Sequence, residues 1–145
     1  MITKLQELAE KAKNSGKKTR IAVAVAEDNN TINAILNAVQ EGFIVPYLIG
    51  NAIKIRELIP SDIALNRLEI INITEPAKAV KEAVRMVRNN EADVLMKGLV
   101  GTDTFLKAVL DKEQGLLPPK AVMSYTCVLE IPKYRKLLFV SDTAV

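Results

Sequence analysis

Apolar and polar positions follow two rhythms along the chain. Ile2, Leu5, Leu8, Ala9 and Ala12 recur at helical spacing, and Asn14-Ser15-Gly16 closes that helix. Residues 20–26 are then almost continuously apolar, which predicts a buried strand. Asn29-Asn30-Thr31 opens a second helix with Ile32, Ile35, Leu36 and Val39 on one face, stopped by Gly42. Residues 43–49 read as the next strand, broken by Gly50-Asn51, and 53–59 as a short helix. Residues 68–73 form a third strand, and Thr74-Glu75-Pro76 starts a helix through Asn89 that turns Val80, Val84 and Val87 inward. Strand and helix thus alternate with short connections, the pattern of a parallel, doubly wound α/β sheet with helices on both faces.

The stretch 92–106 organises the rest. Val94-Leu95-Met96 is an apolar run that suits a central strand covered on both faces. Lys97-Gly98 and Gly101 make a tight turn, and Thr102 or Asp103 caps a helix running to about Lys112. A helix start offers unpaired N–H groups and the positive end of a dipole, and Lys97 adds a full charge. Lys97, Gly98, Gly101 and Thr102 therefore form a candidate phosphate or carboxylate site. The lysine precedes the glycines, so this is not a Walker A loop, nor does it match G-x-G-x-x-G. In parallel sheets ligands bind outside the carboxyl ends of the strands. Glu27, Asp28, Gly50, Asn51 and Thr74 also lie there; Glu27 and Asp28 would repel an anion, and their expected role is helix capping.

After Gln114-Gly115 the rhythm changes. Leu117-Pro118-Pro119 ends the helix, residues 121–129 are extended and contain Ser124 and Thr126, and 137–140 form another apolar strand. Two strands joined by a turn predict an antiparallel arm at the sheet edge. The last strand delivers Ser141-Asp142-Thr143, residues that normally lead into a helix. The chain therefore reads as a single α/β domain forming the first part of a longer, two-domain protein. Ser124, Ser141 and Asp142 are second-rank candidates for the same site, Ser124 having the plainer role of a hydroxyl bonded within its strand.

Composition removes several classes of function. With 145 residues the chain can bury about two thirds of its unfolded surface. It contains no histidine, which excludes Ser-His and Cys-His nucleophiles and histidine metal sites. The one cysteine, Cys127, sits in an apolar stretch and reads as a small buried hydrophobe. Lys78, Lys81, Arg85 and Arg88 line one helical face. With a net charge of +3 and 4% aromatic residues, that stripe reads as solvated surface rather than a nucleic-acid interface. Neither a signal peptide nor a membrane-length apolar run is visible, so the expected location is cytoplasmic.

Residues 97–116 resemble the phosphate acetyl/butyryltransferase family. The likeness rests on Lys97-Gly98-Leu99-Val100, Thr102, Thr104-Phe105-Leu106, Val109-Leu110, Lys112-Glu113 and Gly115-Leu116. It extends to Val23-Ala24-Val25-Ala26, Leu48-Ile49-Gly50 and Leu137-Leu138-Phe139-Val140-Ser141-Asp142. The resemblance implies the first domain of a fold similar to the isocitrate and isopropylmalate dehydrogenases, with the active site in a cleft between two domains and a homodimeric assembly. It implies acyl exchange between coenzyme A and phosphate, with small-molecule substrates (acyl-CoA and phosphate), no bound cofactor, no metal and no covalent enzyme intermediate. Two positions depart from that family's pattern: Leu117 stands where an arginine commonly follows Gly-Leu, and Tyr125 where a histidine commonly follows serine. Leucine cannot supply an arginine's bidentate phosphate contact. Two other readings follow: a non-catalytic binding or regulatory half of the same fold, and a dehydrogenase of that fold, for which the chain shows no cluster of metal-binding acids.

Overall fold

A computed structural model describes residues 2–61, 63 and 68–142. Eleven elements follow one another: α1 (Leu5–Asn14), β1 (Thr19–Ala24), α2 (Asn29–Glu41), β2 (Ile44–Gly50), α3 (Ala52–Leu58), β3 (Glu69–Asn72), α4 (Pro76–Arg88), β4 (Val94–Lys97), α5 (Thr102–Val109), β5 (Thr126–Leu129) and β6 (Leu138–Ser141). They divide into two compact units. One spans Lys18–Pro119; the other combines Met1–Lys17 with Lys120–Val145.

The larger unit is a four-stranded parallel sheet in the order β3-β2-β1-β4. Successive side chains of a strand point to opposite faces, and β1 shows what each face needs. Ala22 and Ala24 join Ala79, Val80, Ala83 and Val84 of α4, with Phe105 of α5 packed against the group. Val23 joins Ile32, Ile35 and Leu36 of α2 and Ile55 of α3 on the other side. The alanines facing α4 let that helix lie close to the sheet, while β-branched and leucine side chains fill the wider gap under α2. Helices therefore cover both faces, as the alternating pattern predicts.

Three local expectations are corrected. β4 is an edge strand of this sheet rather than its centre, and Val94 is 42% exposed. Its apolar run still has a cause, since Leu95 packs with the α4 cluster and Met96 with the α2 cluster. Helix α5 starts from Gly101 (φ −59, ψ 141), with no side-chain cap from Thr102 or Asp103, which lie inside its first turn. It also ends at Val109 rather than Lys112. Asp111 Oδ1 there accepts the amides of Glu113 (2.9 Å) and Gln114 (2.8 Å), and the Leu116 amide returns to the Val109 carbonyl at 2.8 Å. A side chain that bonds local amides competes with the helix and stops it.

In the smaller unit β5 and β6 pair antiparallel with each other, Cys127 opposite Val140. They form a two-stranded sheet of their own, not an arm hydrogen-bonded to the edge of the parallel sheet. Strand geometry is confined to the end of the extended segment, because Pro118, Pro119 and exposed positions precede it. Cys127 is half-buried rather than fully enclosed. The Leu5 amide donates to Glu130 Oε2 at 2.9 Å, tying the start of α1 to this unit. Among the described residues no helix is long and apolar enough to cross a membrane.

Candidate functional site

From β1 the chain moves to β2 on one side, whereas β4 flanks β1 on the other. Strand order thus reverses between β1 and β4. By the general rule for open α/β sheets, the crevice that takes ligands lies outside the carboxyl ends of the strands at such a reversal. Lys97 ends β4 in register with Ala24 of β1, so the Lys97-Gly98 turn sits at the crevice.

The turn is held by β1. Gly98 N–H donates to the Ala24 carbonyl (2.9 Å), Leu99 N–H to the Val25 carbonyl (2.8 Å), and Val100 N–H back to Gly98 (2.9 Å). The amides of Gly98 and Leu99 are therefore committed to the scaffold. Gly98 is needed for a different reason from ligand approach: a Cβ there would lie 2.3 Å from the Val25 carbonyl oxygen and 2.9 Å from that of Ala24. Val25 itself has φ +58 while 2% exposed, a conformation that strains a β-branched residue. Its carbonyl also receives the Glu27 amide at 2.9 Å. The kink at Val25 directs the chain from β1 into the loop that carries Glu27 and Asp28.

Both acids have structural partners, as expected, by different routes. Asp28 caps α2, accepting the Thr31 amide at 2.9 Å on Oδ1 and the Thr31 hydroxyl at 2.5 Å on Oδ2. Burial is the largest single influence on its carboxyl and acts to raise its pKa. The bonds from Thr31 and the Asn30 amide, with the charge of Lys97, outweigh it and hold the pKa below the ordinary aspartate value. Glu27 does not cap α2. Its largely buried carboxylate accepts the Asn51 amide (2.8 Å) and pairs with Lys54 Nζ (3.0 Å), bracing the carboxyl end of β2. Asn51 in turn caps α3 through the amides of Ile53 and Lys54, and Asn72 Oδ1 accepts the Ala52 amide at 3.0 Å.

The donors left facing outward at the crevice are the Lys97 ammonium and the first-turn amides of α5. Phe105 N–H makes the first bond of that helix, to Gly101 at 3.1 Å. The amides of Thr102, Asp103 and Thr104 precede it and have no intrahelical acceptor. The Asp103 carboxylate leans back over Gly101, close to where a Cβ would stand. Lys97, Gly98, Gly101 and Thr102 span the end of β4, the turn and the start of α5. Ser124, Ser141 and Asp142 belong to the other unit. There Ser141 pairs with Thr126 across β5–β6, exposed Ser124 lies before β5 rather than within it, and Asp142 exchanges bonds with Tyr125 (amide to Tyr125 carbonyl 2.8 Å, Tyr125 amide to Asp142 Oδ1 3.1 Å). Thr143 lies outside the described residues.

The Asp28 cap yields a pH signature. A carboxyl whose pKa is lower folded than unfolded stabilises the fold above its unfolded value, about 3.9, and that stability is lost as pH falls through the folded value. Asp28→Ala should lower stability by about 1 kcal/mol near pH 7. The gap between the two proteins should narrow in thermal melts followed by circular dichroism as pH drops below about 4. A gap independent of pH would mean that the cap acts without its charge.

Fold and turn together define a parallel α/β unit with a lysine-glycine turn at its switch point. A branched-chain phosphotransacylase from Enterococcus faecalis V583 shares the fold, with a TM-score of 0.66 at 19% identity over 87% of this chain and 42% of that one. No family model matches the chain. Its sequence is 38% identical over 145 residues to phosphate butyryltransferase from Clostridium acetobutylicum (99% of this chain, 48% of that protein). It is 40% identical over 126 residues to the phosphate butyryltransferase of Clostridium beijerinckii (86% and 41%). The phosphate acetyltransferase of Thermotoga maritima is 35% identical over 138 residues (95% and 46%). The chain thus has homologues named phosphate butyryltransferase and phosphate acetyltransferase, and spans under half the length of these relatives.

Proposed function

We propose that this chain is part of a phosphate acyltransferase of the butyryltransferase type, exchanging an acyl group between coenzyme A and phosphate. The observation that carries the reading is the Lys97-Gly98 turn at the switch point of a chain homologous to such enzymes. Lys97 and the first-turn amides of α5 hold a phosphate group, belonging to the phosphate substrate or to coenzyme A. A phosphate oxygen attacks the acyl carbonyl carbon; the C–O bond forms, the C–S bond breaks and coenzyme A leaves as thiolate. No covalent enzyme intermediate is invoked, in keeping with a chain that has no histidine to activate a nucleophile. Within this reading the unit containing the parallel sheet corresponds to the first domain of a two-domain fold like that of the isocitrate and isopropylmalate dehydrogenases. The second domain closes the cleft, and the enzyme works as a cytoplasmic homodimer.

Lys97→Ala tests the site in a protein of family length carrying this sequence. A charge-assisted contact is worth about 1.5–3 kcal/mol, so affinity for phosphate or coenzyme A should fall roughly 10- to 100-fold. The exposed side chain carries no packing, and the melting temperature should stay the same. Unchanged Michaelis constants for both substrates would remove Lys97 from the site.

A further inference from the structure

A second feature of the larger unit lies beside the switch-point turn and meets it at Asp103 and Thr104, in the first turn of α5. Helices α4 and α5 follow neighbouring parts of the same face of the sheet and leave a groove of about 740 Å³ between them. That volume falls within the range of small-molecule sites. Its origin is legible in the two helices. On α4, positions 77, 81, 84 and 88 return to one side; on α5 and the turn after it, positions 104, 107, 108 and 111 do the same. The floor is made of small apolar side chains, Ala77, Val84 and Ala108, and the small residues are what keep the groove open.

The charges along it are unequal in availability. Arg85 is consumed by two acids, Glu82 at 2.8 Å and Glu91 at 2.6 Å. Asp111 accepts the amides of Glu113 and Gln114 on Oδ1 and keeps its charge, and its carboxylate and that of Asp103 line the groove among the cations. Arg88 donates to the Glu113 carbonyl, which fixes its position at the end of the groove without neutralising it. Among the described residues Lys81 and Lys107 enter no ion pair, and they project from opposite helices. The outer face of α4 is different: Lys78 is paired with Glu75 at 2.7 Å and stands outside the groove. The basic stripe that reads from sequence as uniform solvated surface is therefore split, with Lys78 and Arg85 neutralised, and Lys81 and Arg88 joining Lys107 in a groove that also carries the carboxylates of Asp103 and Asp111.

These features select the occupant. A free phosphate would reach one wall and leave the apolar floor uncovered. A nucleic-acid strand needs a longer track, since the eight residues of α5 span about 12 Å. What satisfies both floor and walls is an organic anion with an apolar body and at least two negative charges. We propose that the α4–α5 groove is a separate binding site for a nucleotide-sized organic phosphate, gripped by Lys81, Lys107 and Arg88. The site stands independently of the reading given to Lys97.

Calorimetric titration of the 145-residue chain at low salt tests it, with ADP, pyrophosphate and adenosine as probes. ADP should bind saturably, with pyrophosphate and adenosine each at least about tenfold weaker, because each satisfies only half of the groove. Lys81→Ala with Lys107→Ala should weaken ADP at least about tenfold. Lys81→Arg with Lys107→Arg should keep most of the affinity. Lys78→Ala and Lys97→Ala should change it less than about twofold. Loss of ADP binding in Lys97→Ala but not in the double variant would move the ligand to the switch point and overturn the proposal. An equal loss in Lys78→Ala would show diffuse charge attraction, and pyrophosphate binding as tight as ADP would show that the floor takes no part. Absence of saturable ADP binding would overturn it outright.

Discussion

Gly98→Ala is expected to destabilise the fold by about 3 kcal/mol and to lower the melting temperature by about 10 °C. The added methyl would stand 2.3 Å from one backbone oxygen and 2.9 Å from another. Neither neighbour can withdraw cheaply. The Ala24 carbonyl holds the Gly98 amide and the Val25 carbonyl holds both the Leu99 and Glu27 amides, so relief of the clash breaks hydrogen bonds in a buried place. Val25 already sits in an unfavourable conformation. Gly101→Ala, three residues on, is the control. Its new methyl meets the Asp103 carboxylate at 2.6 Å, the far end of a side chain that can rotate away, and the cost should stay within about 1 kcal/mol. Thermal melts of the two variants by circular dichroism give the comparison. Equal stability would mean that β1 and the turn separate more easily than their bonding indicates.

Loss of turnover is the larger effect expected of the chain in isolation. Residues 1–145 alone should release no thiol from butyryl-CoA and phosphate. With the Gly98 and Leu99 amides committed to β1, the switch point offers one ammonium and three helix-start amides. At about 1 kcal/mol net for each bond, such a set gives an affinity on the order of millimolar. Little is then left to orient a thioester, and catalysis also requires both reactants in register and water excluded. On the proposed function these come from the family length that this chain does not span, and supplying it in cis or as a second chain should restore activity. Brisk phosphate-dependent thiol release by the 145-residue chain would show that its own residues complete the site.

How far the sequence led depended on what sort of interaction decides each feature. Alternating apolar runs placed all four parallel strands and their helices, because burial on two faces is written into composition. Strand order is not: Val94-Leu95-Met96 looks central since two of its three side chains reach the cores, and only pairing shows that the strand lies at an edge. The helix start after Lys97 was visible from Gly101-Thr102-Asp103, but a glycine cap leaves no side-chain signature. Gly98 stood out as a turn residue; that its neighbour across the sheet is a strained Val25 is a long-range fact without any local pattern. The groove residue Lys107 gave no signal either, because α4 and α5 must be side by side before Lys81 and Lys107 can share a ligand.

The division of the chain bears on the order in which it acquires structure. Residues 18–119 form one unit continuously, whereas the other draws on segments from either side of it, joining α1 to β5 and β6. Leu5 and Glu130, whose bond ties α1 to this unit, stand 125 residues apart, so α1 is synthesised well before its acceptor. The helix therefore waits while the parallel sheet folds. None of its residues is fully buried even when the unit is formed. Closing so long a loop costs entropy before any contact is gained, and this unit depends on that closure in a way that the sheet does not.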